Sequence, residues 1–328
     1  MNSSFFANPE YVTHIWGLTV PERFQHPIEE YSLIRESYGV LDFTGLEYIQ
    51  VSGKDAASFL QGLLTHNNLK LKQGESSKSW LLDSGGKIQA ALHVARVESN
   101  RFFLQCLPGQ ATEIAAILNK YIFMEDISLS VETDLLTWSF QGAAAQVPQH
   151  LPDGFQFPHS WCGEPGTDFV FSKENMAEAE QVLRDNKISP LGLTAMNIRR
   201  TELLVPWFGV DIEIAKNPLI YGKGEAISYS KGCYLGQETI AMTRDRGRPP
   251  MLLCQFESPD SKIPPAPITL LEKDRPVGNL TTIIFSPEFE KPIALGTMLY
   301  TKATKGSSFK DQHGQTWSIR DIVTWKTS

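Results

Sequence analysis

The clearest pattern of apolar positions along the chain follows Asp55 and recurs at spacings of three and four: Ala56, Phe59, Leu60, Leu63 and Leu64. This spacing predicts an amphipathic helix whose apolar side packs into a core. Comparable patterns predict further helices over residues 27–38, 110–121, 172–186 and 190–204. Pro27 suits the first turn of the earliest helix, and Gly39 suits its end.

Short apolar runs separated by Gly, Pro, Asn and Asp predict the strands. In the first half they cover residues 40–43, 48–51, 79–82, 87–97 and 101–107, with a turn at 83–86. A second series begins with strands at 134–141 and 168–171. Helices mixed with hairpins in this way predict an α+β fold with mixed or antiparallel sheets.

The last 78 residues carry a different pattern, with strands predicted at 251–257, 268–272, 277–285, 293–300 and 316–322. Short strands separated by turn residues predict a small β-barrel. The Pro- and Gly-rich tract 147–166 predicts a loop that places His150 and His159 at the surface. The predicted units are an irregular segment 1–26, α+β subdomains 27–128 and 129–249, and a barrel 250–328.

Composition narrows the possible functions. The chain of 328 residues is 41% hydrophobic and 20% charged, as expected of a soluble globular protein, and its net charge of -7 disfavours nucleic acid and anionic membranes as direct partners. Its four cysteines lack paired spacing, so we expect no metal site and a reducing cytoplasm. Neither a signal peptide nor an apolar run of bilayer length is evident.

The candidate chemistry lies in residues 231–238, which read Lys-Gly-Cys-Tyr-Leu-Gly-Gln-Glu. Gly232 and Gly236 allow sharp turns on either side of Cys233, and Lys231 would lower the pKa of the thiol. The segment is therefore a candidate reactive or ligand-contacting loop, with Cys233 and Lys231 as its predicted catalytic residues. The alternative is a tight turn whose cysteine only packs against its neighbours.

These eight residues resemble the signature of the YgfZ family. Its members are folate-binding relatives of the glycine-cleavage T-protein (aminomethyltransferase) and are linked to iron–sulfur protein maturation and tRNA modification. Residues 39–42 and 51–65 are also similar to the opening of T-protein relatives in general. The resemblance covers the chain from about residue 30. It implies two related α/β subdomains around a central folate cavity, a C-terminal β-barrel, and tetrahydrofolate or a derivative as cofactor.

In the superfamily, the stretch around residues 199–211 borders the folate cavity. Arginine suits the glutamate tail of folate, a carboxylate suits the pterin edge, and an aromatic ring suits its flat face. The signature loop and the arginines that follow it would add further contacts. The alternatives are a surface salt bridge and a solvated linker. The predicted folate-binding residues are Arg200, Glu202, Trp207, Tyr234, Gln237, Glu238 and Arg244.

The sequence departs from the T-protein pattern at two places. Ala90 and Ala91 fall where that pattern has paired aspartates, and Ile220 falls where a glutamate contacts the pterin, so that contact would move to Glu225 or Glu238. Because an alanine cannot hold a proton, the departure counts against aminomethyl transfer.

The favoured interpretation is a YgfZ-like folate-binding protein. It would support iron–sulfur cluster assembly or repair and, through cluster enzymes, tRNA modification, with iron–sulfur proteins or assembly factors as its partners. Two alternatives stay open: a folate-dependent aminomethyltransferase, and a non-catalytic binding module on the same fold.

Overall fold

The computed structural model describes residues 5–6, 9–222 and 224–324. The helices are α1 Pro27–Glu36, α2 Ala56–Leu63, α3 Ala111–Asn119, α4 Met176–Asp185, α5 Leu193–Glu202 and α6 Gln237–Asp245. The first strands are β1 Tyr11–Ile15, β2 Leu18–Arg23, β3 Gly39–Asp42, β4 Glu47–Ser52, β5 Ser76–Leu82, β6 Ile88–Glu98, β7 Arg101–Cys106 and β8 Ser128–Glu132. The later strands are β9 Leu135–Gln141, β10 Gly154–Pro158, β11 Gly166–Ser172, β12 Met251–Glu257, β13 Ile268–Glu272, β14 Arg275–Ser286, β15 Lys291–Leu299, β16 Ser308–Asp311 and β17 Thr316–Ile322.

A five-stranded antiparallel sheet forms the first unit, in the order β5-β6-β7-β4-β8. Helices α2 and α3 pack on it through the predicted apolar positions, and Phe59, Leu60 and Leu63 share a core with strand residues such as Val94 and Leu104. The apolar positions after Asp55 therefore form one buried face of α2, as predicted.

A four-stranded sheet forms the second unit, in the order β10-β11-β9-β3. Strand β3 pairs antiparallel with β9, so residues 39–42, which the predicted division assigns to 27–128, lie in this second sheet. Helix α1 also packs on this side, with Tyr31 and Ile34 in the same core as Met196 of α5. Strand β8, which precedes β9 in the chain, pairs with β4 in the first sheet instead. The two sheets therefore exchange strands, and spacing along the sequence does not reveal this.

The tract 147–166 is not entirely a loop, because β10 lies inside it and pairs with β11. Phe155, Phe157, His159 and Trp161 alternate along it, and each ring lies against the next. His159 is buried, so its predicted surface position is wrong, whereas His150 is exposed as expected. The two-residue period of the aromatic rings is the signal that the Pro- and Gly-rich composition conceals.

The predicted irregular segment 1–26 is wrong for residues 11–23, where β1 and β2 form an antiparallel hairpin. A two-residue turn at Trp16 and Gly17, both at positive φ, joins Ile15 to its partner Leu18 and closes the hairpin. Residues 1–4 and 7–8 of that segment lie outside the described residues. The hairpin carries Trp16 into contact with Trp161 and Trp207.

The C-terminal unit is a closed six-stranded barrel in the order β12-β15-β14-β13-β16-β17. It confirms the predicted barrel and adds the short strand β16, which the sequence pattern does not indicate. The Gln255 side chain of β12 donates hydrogen bonds to the carbonyls of Thr201 and Glu202, which ties the barrel to α5. The predicted α+β fold with a small barrel is therefore confirmed. No helix in the described part of the chain is long and apolar enough to cross a membrane.

Candidate active site in a central aromatic cavity

A cavity of about 260 Å³ lies between the first sheet, the N-terminal hairpin and loops of the second unit. This volume is close to the roughly 300–1,000 Å³ typical of small-molecule sites. Segments 205–208, 218–222 and 224–226 contribute to its wall. Its tryptophan, phenylalanine and tyrosine side chains, which suit a flat heterocycle, are Trp16, Trp80, Trp161, Trp207, Phe208 and Tyr221.

A row of polar side chains crosses the sheet at this cavity. Lys78 of β5 is the register partner of His93 on β6, which in turn is the partner of Gln105 on β7. The neighbouring row pairs Trp80 with Ala91. All five residues border the cavity because side chains at alternate positions of a strand share one face of the sheet.

Behind this row lies Asp168, a fully buried residue of β11. Its carboxylate accepts hydrogen bonds from Ser139 Oγ at 2.6 Å, Gln105 Nε2 at 3.0 Å and His159 Nδ1 at 2.9 Å. The indole of Trp161 donates to both of its oxygens. Burial raises the pKa of Asp168, while the donors oppose that shift. Since its neighbours supply hydrogens, Asp168 acts as an acceptor that orients His159.

His93 stacks on His159 with 3.7 Å between the ring centroids. Its Nε2 lies 2.9 Å from Ser76 Oγ and 3.1 Å from the carbonyl of Pro158, and the Ser76 hydroxyl donates to the same carbonyl. These contacts assign the ring hydrogen to Nε2, so Nδ1, which is buried without a partner, carries a lone pair. Burial, followed by the neighbouring His159, holds the pKa of His93 well below its usual value. The imidazole is therefore a neutral base at physiological pH.

Two charged side chains, Lys78 and Glu225, border the cavity among the residues that the structure describes. Lys78 Nζ donates to the carbonyl of Ser160 at 3.0 Å, and burial lowers the pKa of Lys78 although the charge of Glu225 opposes the shift. Glu225 is the carboxylate on the described part of the wall. Of the two carboxylates predicted to replace the pterin-contacting glutamate, only Glu225 reaches the cavity, because Glu238 is exposed in the first turn of α6.

The Lys231 side chain binds backbone carbonyls at the C-terminal end of α2. Its buried ammonium donates to the carbonyls of Gln61 at 2.6 Å, Leu64, and His66 at 2.9 Å, which uses its three hydrogens. Burial lowers the pKa of Lys231 to about 8. Cys233 is exposed and lies outside the cavity wall. No hydrogen bond joins the two side chains in the part of the chain that is described, so the role of Lys231 toward the thiol stays a prediction.

The loop that carries Cys233 packs against the turn between β5 and β6. Gly236 has φ +80, and a Cβ there would lie 2.6 Å from the carbonyl oxygen of Asp83 and 2.9 Å from Gly86 Cα. The predicted sharp turn is found at Gly236, whereas a Cβ at Gly232 would meet no atom within 4 Å. This close approach requires glycine and links the signature loop to the hairpin.

Two further signature residues shape that loop. Tyr234 is buried in a core that Leu82 of β5 and Ile240 of α6 share. Its backbone N–H donates to Oε1 of Gln237, the first residue of α6, at 3.3 Å. Neither side chain borders the cavity, so their predicted contact with folate stays a prediction.

Arg200 and Glu202 connect α5 to β14 of the barrel. Arg200 pairs with Asp211 at 2.6 Å and donates to Thr282 at 2.8 Å, and its guanidinium lies 4.4 Å from the ring centroid of Trp207. Glu202 accepts from the hydroxyls of Tyr31 at 2.9 Å and Ser286 at 2.6 Å. Both side chains have structural partners, and neither borders the cavity.

Arg244, at the end of α6, pairs with Asp245 at 2.5 Å and lies over Tyr229. Of the seven predicted folate-binding residues, Trp207 alone borders the cavity. Sequence reasoning missed Lys78, His93 and Asp168. Strand register places Lys78 beside His93, and packing between the two sheets places Asp168 behind them, next to Gln105 and His159. No spacing along the chain indicates either arrangement.

Comparisons with known proteins agree with this architecture. Residues 6–150 match the GCVT N-terminal domain family. The aminomethyltransferase of Symbiobacterium thermophilum is 26% identical over 343 aligned positions, covering 90% of each chain. That of Alkaliphilus metalliredigens is 24% identical over 307, covering 85% of this chain and 83% of that protein.

Among solved structures, the glycine cleavage system aminomethyltransferase T of Bartonella henselae superposes with a TM-score of 0.82 at 21% identity, over 95% of this chain and 93% of that one. The chain thus has the aminomethyltransferase fold, and together these similarities support its placement in the T-protein superfamily.

Proposed function

We propose that the protein binds tetrahydrofolate in the central cavity and acts as a folate-dependent aminomethyltransferase. The observation that carries the proposal is an aromatic cavity with a carboxylate and a neutral histidine on its wall. The aminomethyltransferase relatives favour this alternative over the iron–sulfur role, which their names do not include.

The residues present suit a folate. A pterin is flat and would lie against the aromatic walls, of which Trp207 is fixed by its indole hydrogen bond to the Trp161 carbonyl at 2.7 Å. Glu225 would accept the adjacent N–H groups of the pterin edge. Bound tetrahydrofolate would supply the nitrogen that accepts a one-carbon unit.

In this proposal His93 is the residue that holds or transfers a proton. Ala91 borders the cavity with only a methyl group, and Ala90 points into the core of the first sheet. His93 follows two residues later on the same strand and the same face. Its Nδ1 is buried without a partner, so the ring must shift before this nitrogen can exchange a proton with a ligand. Asp168 orients His159, which stacks against His93 and keeps its ring in place. A neutral imidazole can hold or pass a proton that Ala91 cannot.

Calorimetry with 5-formyltetrahydrofolate, a stable tetrahydrofolate, tests the binding. Wild-type protein and the exposed control Glu238→Gln should bind equally, whereas Glu225→Gln should bind about tenfold more weakly because it loses a charge-assisted contact. Production of methylenetetrahydrofolate from an aminomethyl donor tests the reaction, and His93→Phe should abolish turnover while it keeps binding. Absence of any binding heat, or equal losses in both glutamate variants, would reject the proposal.

Exposure of Cys233 favours a second candidate function. Burial raises the pKa of Cys106 and Cys254 to about 12 and that of Cys162 to about 11, whereas the thiol of Cys233 is open to solvent. We propose it as a transient ligand through which a YgfZ-like protein serves iron–sulfur proteins or assembly factors in the cytoplasm. One thiol cannot hold a cluster alone, so a partner must supply further ligands.

The test of this second role is a strain whose only copy carries Cys233→Ala. Cluster-dependent enzymes and thiomodified tRNA should fall in that strain, while Cys162→Ala serves as the matched control. Normal levels of both in the Cys233→Ala strain would exclude the role.

A further inference from the structure

Among the described wall residues, Lys78 is the cationic side chain, and the Ser160 carbonyl is the protein acceptor that its ammonium group meets. Neighbouring protein atoms lower the pKa of Lys78. Its side chain is nevertheless accessible to solvent because it borders the cavity. Its hydrogen bond to the Ser160 carbonyl occupies one of three N–H groups. Two donors therefore remain for another acceptor.

No carboxylate of the described residues forms an ion pair with Lys78. Glu225 and Asp168 act on it only through their charge. Asp168 is occupied by four donor groups, and Glu225 borders the cavity without contacting the ammonium. An anion that enters the cavity can therefore replace water at the two free N–H groups and form charge-assisted hydrogen bonds with them.

We propose that Lys78 marks a subsite for the carboxylate of a second, small ligand, next to the place where the folate would bind; this inference rests on the proposed function. The two free N–H groups match the two oxygens of a carboxylate. A phosphate dianion would need further cations, and Lys78 is the cationic side chain among the described wall residues. The register pair with His93 would hold the carboxyl-bearing ligand beside the neutral base.

Tryptophan fluorescence provides the assay because Trp80 and Trp161 border the cavity. Wild type, Lys78→Met, Lys78→Arg and the exposed control Lys72→Met are titrated with sodium acetate at ionic strength held constant with sodium chloride. Acetate should give a saturable change in wild type and Lys72→Met, and its apparent Kd should rise about tenfold or more in Lys78→Met. Lys78→Arg, which keeps the charge, should retain part of the affinity.

A parallel titration with 5-formyltetrahydrofolate separates this inference from the proposed function. Its Kd should change less than about threefold in Lys78→Met. If folate binds but acetate gives no saturable change, or acts equally on Lys78→Met, the carboxylate subsite is wrong while the folate site stands. Equal losses for both ligands would assign Lys78 to the folate site, and tighter binding of inorganic phosphate than of acetate would also overturn the carboxylate assignment. Absence of folate binding with intact acetate binding would reject the proposed function alone.

Discussion

Replacing Arg200 by methionine tests whether this residue stabilises the fold or contacts the ligand. The guanidinium is 1% exposed and pairs with Asp211, which is equally buried. It also donates to Asn197 and Thr282 and so joins α5 to the barrel. Methionine keeps much of the side-chain volume but removes the charge and these hydrogen bonds.

The expected loss of stability arises because Asp211 would remain buried without its cation. Removing one member of a buried ion pair costs about 3–5 kcal/mol because the other charge is left uncompensated. Asp211 would still accept from the hydroxyls of Thr281 and Thr282 and from the Trp207 backbone N–H. We therefore expect Arg200→Met to lower the free energy of unfolding by about 3 kcal/mol, the lower end of that range.

Urea unfolding followed by tryptophan fluorescence measures this loss. The matched control is Arg244→Met, whose surface ion pair with Asp245 should contribute less than about 1 kcal/mol. The folded Arg200→Met protein should bind 5-formyltetrahydrofolate nearly as well as wild type. A loss of stability below about 1 kcal/mol together with a tenfold loss of folate affinity would show that Arg200 is a ligand residue, and the reasoning would be refuted.

Three further predictions concern the signature loop. Gly236→Ala should lower the free energy of unfolding by at least about 1–3 kcal/mol, because the site has a positive φ and a Cβ there would meet backbone atoms. The control Gly232→Ala should lower it by less than about 0.5 kcal/mol. Similar thermal shifts for both variants would contradict the close packing at Gly236. One thiol per folded chain should react rapidly with a disulfide reagent, and this rapid reaction should be absent from Cys233→Ala. Rapid reaction of the buried cysteines would instead show that the core opens. The pKa of Lys231 is about 8 in the folded chain and about 10.4 when unfolded, so the unfolded state binds more protons between these values and stability should rise with pH across that range. Lys231→Met should lack this rise in urea unfolding, and identical pH slopes would exclude the effect.

Much of the fold is predictable because local patterns report burial. The helix after Asp55 is visible as a period near 3.6, and the barrel as a series of short strands between turns. The hairpin over residues 11–23 was missed because the segment is polar and short. Strand β10 was missed because its prolines and glycines suggested a loop, although Phe155, Phe157 and His159 alternate with a period of two.

The candidate site was less predictable, for a physical reason. Residue type suggested Arg200 and Glu202 as folate contacts. In the folded chain Arg200 pairs with Asp211, and Glu202 accepts hydrogen bonds from nearby hydroxyl groups. Lys78, His93 and Gln105 are far apart in sequence and meet only through strand register. Trp207 and Glu225 could be named from the sequence because they lie in segments that the superfamily resemblance had already marked.

A crystal structure of the protein with 5-formyltetrahydrofolate tests the central claim most directly. The account predicts ligand density in the aromatic cavity, with the pterin against Trp207 and its N–H edge within hydrogen-bond distance of Glu225. Density beside Cys233, or a cavity that holds only solvent while calorimetry shows binding, would contradict it.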